Sequence, residues 1–251
     1  MKITFLGTGT STGVPEIGCQ CNVCTSDDRR DWRMRTSVLV ETESKQILLD
    51  CGPDFRWQMI RNKIYNLDAV LISHEHYDHV GGLDDLRPFC ATKGIDIYAE
   101  DYVAKAIETR IPYAFRPHKY PGIPNLELHH VTTEPFMVAG VRVIPIRVMH
   151  ACLSIFGYRI GKMAYLTDLK TLPEEEYSKL EDLDVLIIDA LREKSHPSHE
   201  SVGEALANIE RIRPKNAWLI HMSHRIGLHA DVERELPPNV HLSYDGLTLT
   251  C

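Results

Sequence analysis

The sequence carries no excess of positive charge: 28 Lys and Arg stand against 35 Asp and Glu, for a formal charge of -7. A chain of that sign does not offer the broad basic surface that extended nucleic acid demands, although a small basic pocket beside a metal site would hardly alter the total. A charged-then-apolar leader is also missing, because Met1-Lys2-Ile3-Thr4-Phe5-Leu6 runs straight into glycines. No apolar run approaches the ~20 residues needed to cross a bilayer. The expectation is therefore a cytoplasmic protein with no membrane partner. Nor do the cysteines make an even disulfide framework: there are seven, three of them crowded at 19, 21 and 24. That pattern suits a metal clip in a reducing compartment. With 251 residues the chain can bury a substantial core, and one domain over 1–251 accounts for its length.

What is present is concentrated in residues 73–82, S-H-E-H-Y-D-H-V-G-G. Just upstream, Asp68-Ala69-Val70-Leu71-Ile72 reads as a buried strand, so His74, His76, Asp78 and His79 sit on the loop where it ends. The alternating residues 74, 76 and 78 cannot share one helical face. Their density makes sense if an extended loop wraps around more than one metal ion. The Gly81-Gly82 pair points to tight backbone packing there. Asp50, closing the apolar run 47–49, reads as a buried hydrogen-bonding support for that loop.

A second cluster is the C-x-C-x-x-C of Cys19, Cys21 and Cys24. Three thiols within six residues can meet one tetrahedral zinc, and the fourth ligand must arrive from elsewhere. His224 is the candidate, three residues after His221, so that one short segment serves two centres. This defines a small Cys-rich zinc-binding loop at 18–35. The glycine-rich residues 7–13 lack both the P-loop pattern and the dinucleotide spacing, and read as a close backbone approach to the metal centre. Residues 111–135, with five prolines and with Arg116, His118, Lys119, His129 and His130, read as an irregular rim over the site. Helices are expected over 53–63, 82–93, 173–180, 202–211 and 227–236, and a strand turn at 43–45.

H-x-H-x-D-H after an apolar strand resembles the signature of the metallo-β-lactamase superfamily. The resemblance implies an α/β (α+β) fold, the four-layer αβ/βα sandwich of two mixed β-sheets flanked by helices. It also implies a third histidine, a bridging Asp and a last histidine at later strand ends. His150, Asp168 and His221 close the apolar runs 141–149, 163–167 and 217–220. The implied sets are His74, His76 and His150 on one ion, Asp78, His79 and His221 on the other, with Asp168 bridging. F-L-G-T-G-T-S followed by a proline is similar to the opening of the phosphodiesterase branch. C-x-C-x-x-C joined to His221-Met222-Ser223-His224 resembles the PhnP-type phosphodiesterases of the carbon-phosphorus lyase pathway, which carry a structural zinc beside a catalytic metal pair. In that branch a histidine at the entry of the helix after this strand supplies a general acid, and His199 fits the position better than His196.

The function that follows is hydrolysis of a small nucleotide or sugar phosphodiester, cyclic or open, by a hydroxide held between two divalent ions, with Asp78 orienting the metal. Zinc, manganese and iron all suit His/Asp ligands, whereas the thiolate site names zinc. A lactone, thioester or other carboxylic derivative is the alternative substrate for the same metal pair. A non-hydrolytic protein like the quinone-cofactor biosynthesis protein B is the other alternative. The family often forms homodimers, and a homodimer is expected here on that resemblance alone.

Overall fold

Short apolar runs rich in β-branched residues, buried on both faces in strands such as Ala69–Leu71, Met163–Leu166 and Val185–Asp189, build two seven-stranded sheets. The structure, a computed structural model, describes residues 1–251 apart from 43–44, 92 and 117–121. The first sheet holds β1 (Lys2–Gly7), β2 (Ser37–Glu41), β3 (Gln46–Leu49), β4 (Ala69–Leu71), β5 (Ile95–Glu100) and β6 (Leu126–Val131) side by side. The second holds β7 (Phe136–Val138), β8 (Val141–His150), β9 (Leu153–Ile160), β10 (Met163–Leu166), β11 (Val185–Asp189), β12 (Asn216–Ile220) and β13 (Val240–Leu242). The last strand, β14 (Thr248–Thr250), returns to the first sheet and pairs antiparallel with β1, where the Met1 ammonium donates to the Cys251 carbonyl at 2.6 Å.

Both sheets are mixed. Strands β3 to β6 run parallel, as do β10 to β13, and the remaining neighbours are antiparallel. Two antiparallel steps separate β8 from β10, so the C-terminal ends of β8, β10, β11 and β12 share one edge. In the first sheet β3 and β4 likewise end together.

Between the sheets, Ile3, Phe5, Val38, Leu49 and Leu71 meet Phe156, Tyr158, Tyr165 and Ile187. Burying each such side chain stabilises the fold by about 1.5–3 kcal/mol before entropy is counted. The outer face of the first sheet packs against α1 (Phe55–Asn62) and α3 (Asp101–Arg110) through Phe55, Met59, Val103 and Ile107. That of the second packs against α4 (Val202–Ile212) through Val202, Ala205 and Ile209. The other helices, α2 (Tyr77–Val80) and α5 (His229–Glu235), are short. The result is the four-layer sandwich anticipated from the sequence.

Some local expectations are corrected. Leu83–Ala91 and Glu174–Leu180 are 3₁₀ rather than α-helical, the first with Pro88 inside it, where a missing N–H and a bulky ring oppose the α ladder. Residues 111–135 are not simply irregular, because they contain a 3₁₀ turn, Pro112–Phe115, and the edge strand β6. His129 Nε2 lies 3.0 Å from Asp96 and its ring stacks on Tyr98, while His130 Nδ1 lies 3.0 Å from Asp101. Neighbouring carboxylates thus hold both rings. Glu43 and Ser44 of the expected turn, with His118 and Lys119, lie outside the described residues.

Candidate metal centre

The histidine loop begins where β4 stops, and it is not extended throughout. His74 to His76 is open chain, but the backbone then closes into the single turn of α2, carrying Asp78 and His79. Two glycines permit this. A Cβ on Gly52 would lie 2.0 Å from the Asp78 carbonyl, and one on Gly82 2.1 Å from the Gly52 carbonyl, so neither position has room for a side chain. Asp50 supports the loop from below. Its Oδ1 accepts the Ser73 amide at 2.8 Å, and its Oδ2 faces His79 Nδ1 at 2.8 Å and accepts the Tyr165 hydroxyl at 2.9 Å. The glycine-rich opening approaches backbone rather than the site itself. Gly9 bridges to Arg35 and Met222, and the Thr10 amide donates to the Met222 carbonyl, next to His221.

The ligand-type atoms gather into overlapping groups. His74, His76 and His150 bring one ligand atom each to within 4.8 Å of one another, and so do Asp78, His79 and His221. His74 Nε2 lies 3.0 Å from His76 Nδ1, while His74 Nδ1 sits 2.9 Å from the Ser73 hydroxyl. His150 Nδ1 donates to the Ser198 carbonyl at 2.8 Å, which leaves its Nε2 bare. Asp168 stands between the groups, with Oδ1 3.9 Å from His74 Nε2 and 3.4 Å from His221 Nε2, and Oδ2 3.1 Å from His79 Nε2. Asp50, Asp168 and His221 all adopt left-handed backbone, with φ of 60°, 53° and 60°. Such strain, of order 1–3 kcal/mol per residue, clusters where a side chain must be aimed.

These residues fit divalent ions, and His79 shows why. Its Nδ1–H is committed to Asp50, so Nε2 presents a lone pair, yet Nε2 faces Asp78 Oδ2 at 3.2 Å and Asp168 Oδ2 at 3.1 Å without a hydrogen bond. A lone pair against two carboxylates is repulsive unless a cation lies among them. Electrostatics express the same demand. Burial opposes charge on His79, but Asp168, Asp78 and Asp50 pull it well above the ordinary histidine range. Burial equally opposes ionisation of Asp168, while His221, His79 and His74 hold it well below the carboxylate range. His74 goes the other way, pushed down by burial and then by His79.

His199, at the entry to α4, reaches the same cavity. Its Nδ1 is 3.3 Å from Asp189 Oδ2 and 3.9 Å from Asp168 Oδ1, and its ring stacks on His221 at 4.8 Å and meets His150 edge-on at 4.6 Å. Asp189 carries no role in the sequence reading. It is fully buried and also stands 3.6 Å from His221 Nδ1, so one carboxylate touches two imidazoles. The only signal for it was an acid closing an otherwise apolar strand. Tyr165 was hidden in the same way.

The cysteine cluster forms a separate group: Cys19, Cys21, Cys24 and His224 bring their ligand atoms within 4.8 Å of one another. His224 Nδ1 lies 3.4 Å from Cys19 Sγ and 3.2 Å from Cys21 Sγ, while its Nε2 faces Glu16 at 3.2 Å, a carboxylate missed in the sequence. Contact with His224 draws the Cys21 thiol down to about 6, whereas burial pushes Cys24 up to about 11. Cys19, Cys21 and Cys24 form no disulfide, and this donor set suits tetrahedral zinc.

Comparison with known proteins gives a consistent picture. Residues 45–222 match the family described as the beta-lactamase superfamily domain. A protein of Porphyromonas gingivalis named octanoyltransferase is 49% identical over 250 residues, covering 98% of this chain and 51% of its own length. The chain spans about half the length of the curated relatives it matches. A crystal structure of a new diphosphatase from the PhnP family is 37% identical, with a TM-score of 0.93 over 100% of this chain and 97% of that one. Zn(2+)-bound PqqB from Methylobacterium extorquens shares the fold, with a TM-score of 0.81 at 20% identity over 100% of both chains.

Proposed function

Because the chain belongs to the beta-lactamase superfamily, in its PhnP-like branch, we propose that it is a metal-dependent hydrolase acting on a small phosphoric diester of a nucleotide or sugar, with a diphosphate linkage as the close chemical relative. The observation that carries this is the position of Asp168 between two ligand groups with His199 on the same cavity. Two ions, when bound, would acidify a water between them and neutralise charge growing on the phosphoryl oxygens. His74, His76 and His150 would hold one ion and Asp78, His79 and His221 the other, with Asp168 placed between the two groups. Cys19, Cys21, Cys24 and His224 would hold a structural zinc.

The rest is done by side chains. Asp78 acts as a ligand and orients its ion. Asp189 Oδ2 faces His199 Nδ1 at 3.3 Å and favours the imidazolium by charge, which leaves Nε2 to protonate the departing alkoxide. The buried Asp50, Ser73 and Tyr165 network keeps His79 and His74 in the tautomers that direct Nε2 inward. The partner is a small molecule, and the protein acts as a homodimer.

The test is hydrolysis of a chromogenic phosphodiester by metal-replete protein, with His199→Ala and a parallel lactone and thioester panel. The diester is cleaved, and the variant loses about 10²–10⁴-fold in kcat, the usual contribution of a positioned acid. The octanoyltransferase name of the P. gingivalis relative favours one second reading, hydrolysis of a carboxylic derivative. That reading gains if thioester or lactone is opened while the diester stays intact and the His199 variant is unimpaired. Inactivity on the whole panel removes both.

A further inference from the structure

Glu16 stands outside the four ligand-type residues of the cysteine cluster, yet it meets three of them. Its amide donates to Cys24 Sγ at 3.4 Å, its carbonyl accepts the Cys19 amide at 3.0 Å, and its Oε2 faces His224 Nε2 at 3.2 Å. The cysteine loop and the His224 segment, brought together from opposite ends of the chain, are thus joined at one residue. The backbone delivers it there. Two positions earlier Val14 exchanges both backbone hydrogen bonds with Arg33, donating to its carbonyl at 2.8 Å and accepting its amide at 2.7 Å, so the chain reaches Glu16 from a fixed bridge. Val14, Val23 and Cys24 form a small buried core with Leu228 packed against it.

The carboxylate decides which nitrogen of His224 is bare. Nδ1 lies 3.4 Å from Cys19 Sγ and 3.2 Å from Cys21 Sγ, whereas Nε2 is turned to Glu16. A carboxylate beside one nitrogen of an imidazole favours the proton there and leaves the lone pair on the other. Glu16 therefore directs the Nδ1 lone pair at the sulfurs. A glutamate side chain that is 42% exposed is ordinarily a weak ion-pair partner, because it must give up its freedom to hold one geometry. Here the amide and the carbonyl of the same residue are already committed to Cys24 and Cys19, so only the side-chain torsions stand between the carboxylate and His224. The His224 side chain is itself 14% exposed, and solvent competes little for its Nε2.

We propose that Glu16 is a positioning residue for the cysteine-bound zinc, holding His224 in the tautomer and orientation that present Nδ1 to the metal while its backbone fixes Cys19 and Cys24. The inference rests on the reading of this cluster as a structural zinc site and is independent of which bond is cleaved at the metal pair. Its effect is local. Without the Glu16 carboxylate the His224 ring loses its orientation and the cysteine-bound ion leaves more readily, while the ions of the pair stay with their own ligands.

Zinc-loaded protein tests it. Transfer of zinc to a chromogenic chelator gives affinity and release rate, and thiol titration alongside marks the ion that leaves the cysteines. Glu16→Ala lowers affinity for that ion about tenfold, the lower end of the usual cost of removing such a partner and in keeping with its partial exposure. Glu16→Gln, which keeps an acceptor without the charge, restores part of the loss. Proton–nitrogen NMR of the histidine rings gives a readout that a merely structural role leaves unmoved: in Glu16→Ala the His224 Nε2–H signal shifts and exchanges faster with water. Melting temperatures report that both variants are folded. Zinc release at the wild-type rate from Glu16→Ala, or an unshifted His224 signal, overturns the role of Glu16 and leaves the zinc reading standing. Wild-type protein that takes up no metal at the cysteines overturns the zinc reading and the inference with it.

Discussion

Asp50 Oδ2 lies 2.8 Å from His79 Nδ1, and the same oxygen accepts the hydroxyl of Tyr165 at 2.9 Å, so one carboxylate reaching up from β3 sets the orientation of a histidine on a loop after β4. Asp50→Ala therefore acts at a distance. Metal affinity falls about 10–100-fold, the usual cost of removing such a partner. The Tyr165 hydroxyl and Ser73 amide, left buried without an acceptor, cost about 1–3 kcal/mol each in stability. Metal competition and thermal unfolding read the two effects separately. Unaltered metal affinity would show that His79 keeps its orientation without Asp50.

Gly52→Ala tests the close approach of the loops. The new Cβ would stand 2.0 Å from the Asp78 carbonyl, so that α2 must move and carry Asp78 and His79 with it. Elemental analysis is expected to show loss of the ions at the pair with the cysteine-bound metal retained, and stability is expected to fall by about 1–3 kcal/mol. Full occupancy at the pair would mean that the turn accommodates the added methyl.

Asp245 supplies a pH signature remote from the metals. Its carboxylate accepts the Thr8 hydroxyl at 2.9 Å and the Met34 amide at 2.8 Å, and burial pushes it up to about 7 against those bonds. Between the ordinary Asp value and that point the folded chain holds a proton that the unfolded chain has released. Raising the pH through this window lowers stability. Asp245→Asn has no such proton, so unfolding free energies of wild type relative to the variant fall by on the order of 2–4 kcal/mol from about pH 4 to pH 7. A pH-independent difference would place the charged form in the folded state throughout.

The two metal groups are separable although His221 and His224 share one segment. His224→Ala, with Cys21→Ala as its companion, is expected to lose about one metal equivalent and to expose reactive thiols while the pair stays loaded. His221→Ala has the converse effect. Metal counting and thiol titration on the purified variants decide the matter, and simultaneous loss of all metal from the His224 variant would show that the centres assemble together.

What the sequence made legible was set by distance along the chain. His74, His76, Asp78 and His79 crowd into six residues, and the resemblance to the metallo-β-lactamase superfamily then points to His150, Asp168 and His221, each of which falls where an apolar run stops. Asp189 also ends such a run, but its contacts come from residues 10 and 32 positions away, and only the parallel register of β10, β11 and β12 brings them together. Tyr165 is indistinguishable from a core residue until its hydroxyl meets Asp50 across the sandwich. The prolines of 111–135 make the whole stretch read as an irregular rim, whereas 126–131 pair as the edge strand β6, and His129 and His130 face the carboxylates of Asp96 and Asp101. The helices at 83–91 and 174–180 were placed correctly but given the wrong pitch, which depends on local hydrogen-bond geometry rather than on hydrophobic spacing.

The pairing of β1 with β14 has a bearing on handling. Strand β1 runs from Met1 toward Gly7 and the glycine loop beside His221, and β14 runs the opposite way, so both chain ends emerge at the edge remote from the metals. An affinity tag, a surface tether or a fused enzyme attached at either end would leave the catalytic mouth facing away from its anchor. Immobilised protein should turn over substrate as freely as protein in solution.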